Sequence, residues 1–323
     1  MEIQEKHCKI HFMKALSGDC FLIELEEKHS ILIDCGYKST YENELKPLLV
    51  KLREEGGRLS LFVVTHMDED HIGGAIAFLE ENGDKENPQI IAIDNIWFNG
   101  LFAICSNEKV VLAHLWEQLE KEVDERNRYI QTQLEKLISC GDGFISATHA
   151  QNLEITCKEN HYNLNCGSRN GMIQEGQELQ IGDCRVKVLS PGKQRISNFA
   201  KWIDKNLIDC LGNNYQLKKT DFLDYLEKVV LVYGKDAYGS EGYSEISSNC
   251  PNIESWIGTS RQAPMNAANR MSIVLDIVYA GKTMLFLGDS ESGDWISGAR
   301  HSYDLVKLSH HGTLYPNLEL LKQ

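Results

Sequence analysis

The chain has 323 residues, 42% of them hydrophobic and 25% charged, and carries a formal net charge of −14. That is ordinary globular material, long enough to bury a large core, and only six prolines argue against disordered linkers. No apolar run approaches the ~20 residues of a membrane helix, the opening Met1-Glu2-Ile3-Gln4-Glu5-Lys6 is no signal peptide, and no lysine-rich run marks a surface for duplex nucleic acid.

Along the chain, residues 8–36 read as a strand hairpin, and Glu42 to Glu55 as an amphipathic helix with Leu45, Leu48, Leu49 and Leu52 on one side. A strand over 60–65 leads through a ligand-rich loop into a helix over 72–82, and Ile90 to Phe98 is a further strand. Residues 105–140 predict one or two helices, with Val111, Leu115, Leu119 and Val123 at helical spacing. Core packing is the preferred reading of that stripe, with a homodimer face or protein partner as the minority one. Residues 177–191 return to strands, 214–230 look helical, and 233–252 are rich in Gly, Ser, Tyr and Asn, as a loop or lid would be. Two apolar runs around Ala280-Gly281-Lys282 signal a hairpin over 272–287, and Asp304 to Ser309 is a last strand. The ten cysteines form no CxxC pair, so reduced buried thiols in a cytoplasmic protein are expected. Cys157, His161 and Cys166 lack the fourth ligand that a second metal site would need.

The densest chemistry lies in Thr65-His66-Met67-Asp68-Glu69-Asp70-His71-Ile72-Gly73-Gly74, directly after the apolar run Leu61-Phe62-Val63-Val64. A buried strand that ends in imidazoles and carboxylates holds them rigidly yet open to substrate, and such a mixture suits zinc, manganese or iron. Two more strands end the same way, at Gly288-Asp289-Ser290-Glu291 and at His310-His311-Gly312-Thr313. Each alone is weak, because strand-end Asp and His are often turn residues and Asp70 also fits a helix cap. Together they gather a site at one sheet edge.

With those residues in place the chain resembles the metallo-β-lactamase superfamily, whose members carry a His-x-[His/Asp]-x-Asp-His loop, a later Gly-Asp and a final His. Asp68 in place of the usual middle His, the His310-His311-Gly312 ending, and Asn269-Arg270-Met271-Ser272-Ile273 before the hairpin look most like the ComEC-related branch. Ser17-Gly18-Asp19-Cys20-Phe21-Leu22-Ile23 and Ile31-Leu32-Ile33-Asp34-Cys35-Gly36 match its first hairpin. The resemblance implies an α/β fold, a four-layer αββα sandwich, here one domain over 1–323 with helical insertions at about 101–176 and 192–262. Relatives carry another metal-binding His before the hairpin, near the place Asn269 occupies. They also usually run on past the final His, where this chain stops twelve residues after His311, so either a truncated domain or closing elements supplied from elsewhere are expected.

The resemblance further implies two divalent metal ions, zinc or manganese. His66 and Asp68 would hold one and Asp70 and His71 the second, with Asp289 bridging them. His310 would complete a site, with His311 either supporting it or serving as the true ligand. Asp34 would orient a ligand imidazole. Asp70 is also a candidate catalytic group that steers the attacking water, and Asn269 and Arg270 are candidates for contacting substrate. The expected function is a metal-dependent hydrolase cutting a phosphodiester in a nucleic acid or nucleotide. The alternatives are an ester, thioester or lactam hydrolase, or a non-catalytic metal-binding module of a larger assembly.

Overall fold

The computed structural model describes residues 7–100, 103–104, 147–201 and 267–321. The helices expected over 105–140 and 214–230 and the loop over 233–252 lie outside the described residues. Within them, ten strands form two five-stranded sheets. The first contains β1 (Lys9–Phe12), β2 (Phe21–Glu24), β3 (His29–Ile33), β4 (Arg58–Val63) and β5 (Ile96–Trp97) in that order. Its first three strands pair antiparallel and its last three parallel. The second runs β10 (Leu305–Lys307), β9 (Lys282–Phe286), β8 (Val274–Tyr279), β7 (Cys184–Ser190), β6 (Glu178–Ile181), antiparallel except for β10 against β9.

Period-two alternation sorts the apolar side chains between layers. Ile23, Ile31, Ile33, Leu61 and Val63 of the first sheet meet Val186, Val188, Leu275, Ile277, Met284 and Phe286 of the second in one buried cluster. Their neighbours Leu22, Leu32 and Phe62 point the other way, against Leu49 and Leu52 of α2 (Lys46–Glu54) and Ile72, Phe78 and Leu79 of α3 (Glu69–Asn82). Leu153 of α4 (Ala147–Glu159) joins that layer. On the outer face of the second sheet, Val274, Leu285 and Leu287 pack with Trp295, and Leu320 of α5 (Leu314–Leu321) lies against them. Helices, sheet, sheet and helices thus make the expected αββα sandwich. A short helical turn, α1 (Lys38–Thr40), leads through a wide π-turn over Tyr41–Leu45 into α2.

Two boundaries differ from the sequence reading. The helix expected from residue 72 begins at Glu69, because Asp68 already has the extended backbone of an N-cap, so Asp70 and His71 sit in the first helical turn. The strand expected over 90–98 shrinks to Ile96–Trp97. Ile90, Ile91 and Ile93 are buried and Ile93 makes a single bridge to Leu59, but at Ile90 and Ile91 the buried side chain of Asn82 takes the place of a ladder partner. Asn82 Oδ1 accepts from Ile90 N and Ile91 N, each at 2.9 Å, while Nδ2 donates to Ile91 O at 3.0 Å and Tyr162 Oη at 2.7 Å. Asn82→Ala therefore leaves two buried N–H groups unpaired and should cost about 2–4 kcal/mol, read from a denaturant midpoint. An unchanged midpoint would contradict this assignment.

Candidate metal centre

Three strand ends and one turn deliver the site. β4 leads into Thr65-His66, and α3 starts beside it with Asp70 and His71. β9 ends before Asp289, and β10 before His310 and His311. The turn between β1 and β2 supplies Asp19, whose N–H donates to Asp70 O at 3.1 Å. Gly18 permits that approach, since a Cβ there would lie 2.1 Å from Asp70 O.

Asp34, in left-handed backbone just after β3, holds this end together. Its Oδ1 accepts from Thr65 N at 2.7 Å, and its Oδ2 from Thr65 Oγ1 at 2.8 Å and His71 Nδ1 at 2.9 Å. The Thr65 hydroxyl has one hydrogen, given to Asp34, so at 3.1 Å from His66 Nδ1 it accepts. Both imidazoles thereby carry a proton on Nδ1 and turn Nε2 toward the cluster. His66 Nε2 lies 3.6 Å from Asp68 Oδ2 and 3.9 Å from Asp289 Oδ2, and His71 Nε2 lies 3.5 Å from Asp289 Oδ1 and 3.9 Å from Asp70 Oδ1. His311 Nε2 lies 3.2 Å from Asp70 Oδ2 and 3.3 Å from Asp289 Oδ2. Ligand atoms of Asp19, His71, Asp289 and His311 all fall within 4.8 Å of one another.

Burial opposes charge on these groups, and their mutual attraction overrides it. His71 is held protonated well above the ordinary imidazole range by Asp289, Asp34, Asp70 and Asp19, despite a burial that works the other way. His311 is pushed up to about 11 against its own burial by Asp19, Asp289 and Asp70. Asp289, although buried, is kept well below the usual carboxylate range by His71, His311 and Lys307. Asp68, Asp70 and His311 keep 18%, 20% and 25% side-chain exposure, so the cluster opens to solvent on their side.

His66 Nε2, His71 Nε2 and Asp289 Oδ1 are buried without a hydrogen-bond partner. Such atoms are costly unless something fills the space between them, and an imidazole–carboxylate donor set is what a divalent cation takes. The residues present fit a metal.

Residues 13–86 match the family model described as the metallo-β-lactamase superfamily. Over that stretch the chain is similar to the superfamily. Solved structures similar to it include a metallo-β-lactamase from Staphylococcus aureus subsp. aureus COL, at 15% identity over 58% of this chain and 35% of that one, with a TM-score of 0.25. Another is MEM-A1, a subclass B3 metallo-β-lactamase from a soil metagenome library, at 15% identity over 57% of this chain and 52% of that one, TM-score 0.23. A β-lactamase domain protein from Burkholderia ambifaria has 14% identity over 58% of this chain and 47% of that one, TM-score 0.25. The chain spans 35–52% of the length of these structures. No curated protein matches the sequence.

Of the residues that sequence singled out, His66, Asp68, Asp70, His71, Asp289 and His311 come together at one sheet edge, with Asp34 behind His71. His310 has its Nδ1 3.1 Å from Thr313 Oγ1 and lies within electrostatic reach of Asp289, His66 and Asp68, but it is not among the four clustered ligands. Asn269 is buried on a 3₁₀ turn over Asn269–Met271. Arg270 is held by other groups, donating to Asp294 Oδ2 at 3.0 Å and Oδ1 at 2.9 Å and pairing with Glu291 at 2.8 Å. Cys157, His161 and Cys166 do not converge: Cys157 is buried, Cys166 is exposed, and His161 Nδ1 pairs with Asp84 at 2.6 Å. Among the described residues no helix is long and apolar enough to cross a membrane.

Sequence reasoning missed three residues. Asp19 and Lys307 are buried against Asp289 and His311. The third, His149 of α4, has its Nδ1 buried without a partner. Burial pushes its imidazole down to about 4, although the charge of Asp68 pulls the other way. An Asp beside a Gly and a Lys ending a strand read as turn and solvent-facing residues, and His149 lies in the stretch expected to be a helical insertion, so nothing local marked any of them.

Because His71 and His311 hold protons that a metal must displace, binding should release protons and tighten as pH rises. Calorimetry in buffers of different ionisation enthalpy should show at least about one proton released per Zn²⁺ or Mn²⁺ near neutral pH, with affinity increasing from about pH 6 to about pH 8. Binding without proton release would exclude these imidazoles as ligands.

Proposed function

We propose that this chain is a metal-dependent hydrolase that cleaves phosphodiesters, in the manner of the ComEC-related branch it resembles, on a nucleic acid or nucleotide. The observation that carries the reading is the set of buried, unpartnered donor atoms on His66, His71 and Asp289 at one sheet edge, beside an open carboxylate face. His66, Asp68, Asp70, His71, Asp289 and His311 would hold the metals, which supply Lewis-acid polarisation of the substrate and lower the pKa of water.

Charge supports a pair of divalent ions. With neutral imidazoles, the five carboxylates Asp19, Asp34, Asp68, Asp70 and Asp289 less the one ammonium of Lys307 leave four negative charges. Two divalent cations match that. The oxygen-rich set, with Asp68 where relatives more often have His, suits zinc or manganese and a charged oxyanion substrate. A net charge of −14 disfavours nonspecific duplex binding by the chain alone, so attraction to phosphate would be local to the site.

This chain's own groups then divide the work. Asp34 fixes the tautomer of His71, and Thr65 that of His66. Asp70 is kept ionised by His71 and His311 against its burial, so it can accept a hydrogen bond from the attacking water and orient it. Asp68, Asp70 and His311 line the side through which substrate enters.

The test is hydrolysis of bis(p-nitrophenyl) phosphate by manganese- or zinc-loaded protein, with a chromogenic β-lactam as comparison. Asp70→Ala should lower phosphodiester turnover by about 10²-fold or more while the fold persists. Turnover of the lactam alone, or equal turnover by Asp70→Ala, would overturn this reading.

A further inference from the structure

A lysine stands at the back of the cluster. Lys307, the last residue of β10, has a side chain only 8% exposed. Its Nζ donates to Gly288 O at 3.0 Å, forms an ion pair with Asp19 Oδ2, and lies 3.8 Å from Asp289 Oδ1. Asp19 in turn presents its Oδ1 to His311 Nδ1 at 3.7 Å, while the opposite nitrogen of that ring faces Asp70 and Asp289. On the other side of the site, Thr65 fixes Asp34 and Asp34 accepts from His71 Nδ1. The two chains of contact have the same order: a donor, a buried carboxylate, the Nδ1 of an imidazole.

We propose that Lys307 and Asp19 form a positioning pair that selects His311 over His310 as the metal-facing imidazole and aims its Nε2 into the site. The inference rests on the metal reading above. The backbone is built for this choice. His310 and His311 both adopt left-handed conformations, at φ 50° and 53°, which side chains with a Cβ rarely keep unless their surroundings hold them there. His310 N–H donates to Gly288 O at 3.1 Å, the same carbonyl that receives Lys307, so one peptide anchors both the turn and the ammonium. Gly288 has φ +50° and no room for a side chain, since a Cβ would meet Ser272 Cβ at 3.0 Å and Thr65 Cβ at 3.1 Å.

Two effects of Lys307 on a metal have opposite signs, which makes the proposal testable. Its positive charge repels a divalent cation, so an ammonium serving only as a charge would weaken binding, and removing it would strengthen binding. A positioning ammonium does the reverse: without it Asp19 is released, His311 loses its orientation, and affinity falls.

The experiment is calorimetric titration of Mn²⁺, repeated with Zn²⁺, into the full chain and the variants K307M, D19N, H310A, H311A and K307M/H311A. Circular dichroism of each metal-free protein reports its fold. K307M and D19N should each weaken binding about tenfold or more, as loss of a group supporting a ligand imidazole does. H310A should stay within about twofold of wild type. K307M/H311A should bind no more weakly than H311A, because the lysine acts through that ring. Should K307M fail to fold, D19N/H311A set against H311A carries the comparison: if Asp19 acts through that ring, the double variant should bind no more weakly than H311A, and a further loss would overturn the proposal. Wild-type binding that K307M leaves unchanged or tightens would overturn the proposal while leaving the metal reading standing. Equal losses in H310A and H311A would also overturn it. Absence of wild-type binding to either ion would overturn the metal reading itself, and the proposal with it.

Discussion

Both carboxylate oxygens of Asp34 are engaged by Thr65 and His71, and the geometry of the site depends on that buried clamp. A carboxylate with almost no solvent exposure is costly unless its lone pairs are filled, and three donors fill them. In settling its own hydrogen bonds, Asp34 ties the end of β3 to the end of β4 and the first turn of α3. The same contacts turn His71 Nε2 toward the carboxylates of Asp289 and Asp70. His66 follows, because the Thr65 hydroxyl that donates to Asp34 can then only accept from it.

The sandwich explains why such clamps can exist there. Two sheets pressed face to face leave little freedom inside, and the strands end where the apolar clusters end. Polar side chains at those ends sit on rigid backbone yet border solvent through Asp68, Asp70 and His311. Asp289 shows the balance most clearly. It is buried, its backbone N–H donates to Ser272 Oγ at 3.0 Å, and its carboxylate faces four cationic or imidazole groups, His66, His71, Lys307 and His311.

Much of the fold was legible in the sequence. Leu61 to Val64, Ile31 to Ile33 and the runs around Gly281 are long, apolar and β-rich, and they became strands. The stretch from Ile90 to Phe98 reads equally apolar, yet only Ile96 and Trp97 form a strand: Ile93 makes a single bridge to Leu59, and a buried amide on α3 takes the N–H groups of Ile90 and Ile91. No local pattern announces such a long-range substitution. At the site, ligands grouped within a few residues were visible because their crowding is improbable. His311 and His310 are adjacent, so spacing alone left them equivalent, and the left-handed turn separates them. Asp19 and Lys307 come from the turn after β1 and the end of β10, far apart in the chain, and only folding makes them neighbours.

Metal location tests this account most directly. Anomalous diffraction from crystals grown with Zn²⁺ would place any bound ion without reference to activity. The account predicts a peak about 2.0–2.1 Å from His71 Nε2, with His311 Nε2 rather than a nitrogen of His310 at a similar distance. A peak held by His310, or zinc bound only at surface residues away from Asp289, would contradict it.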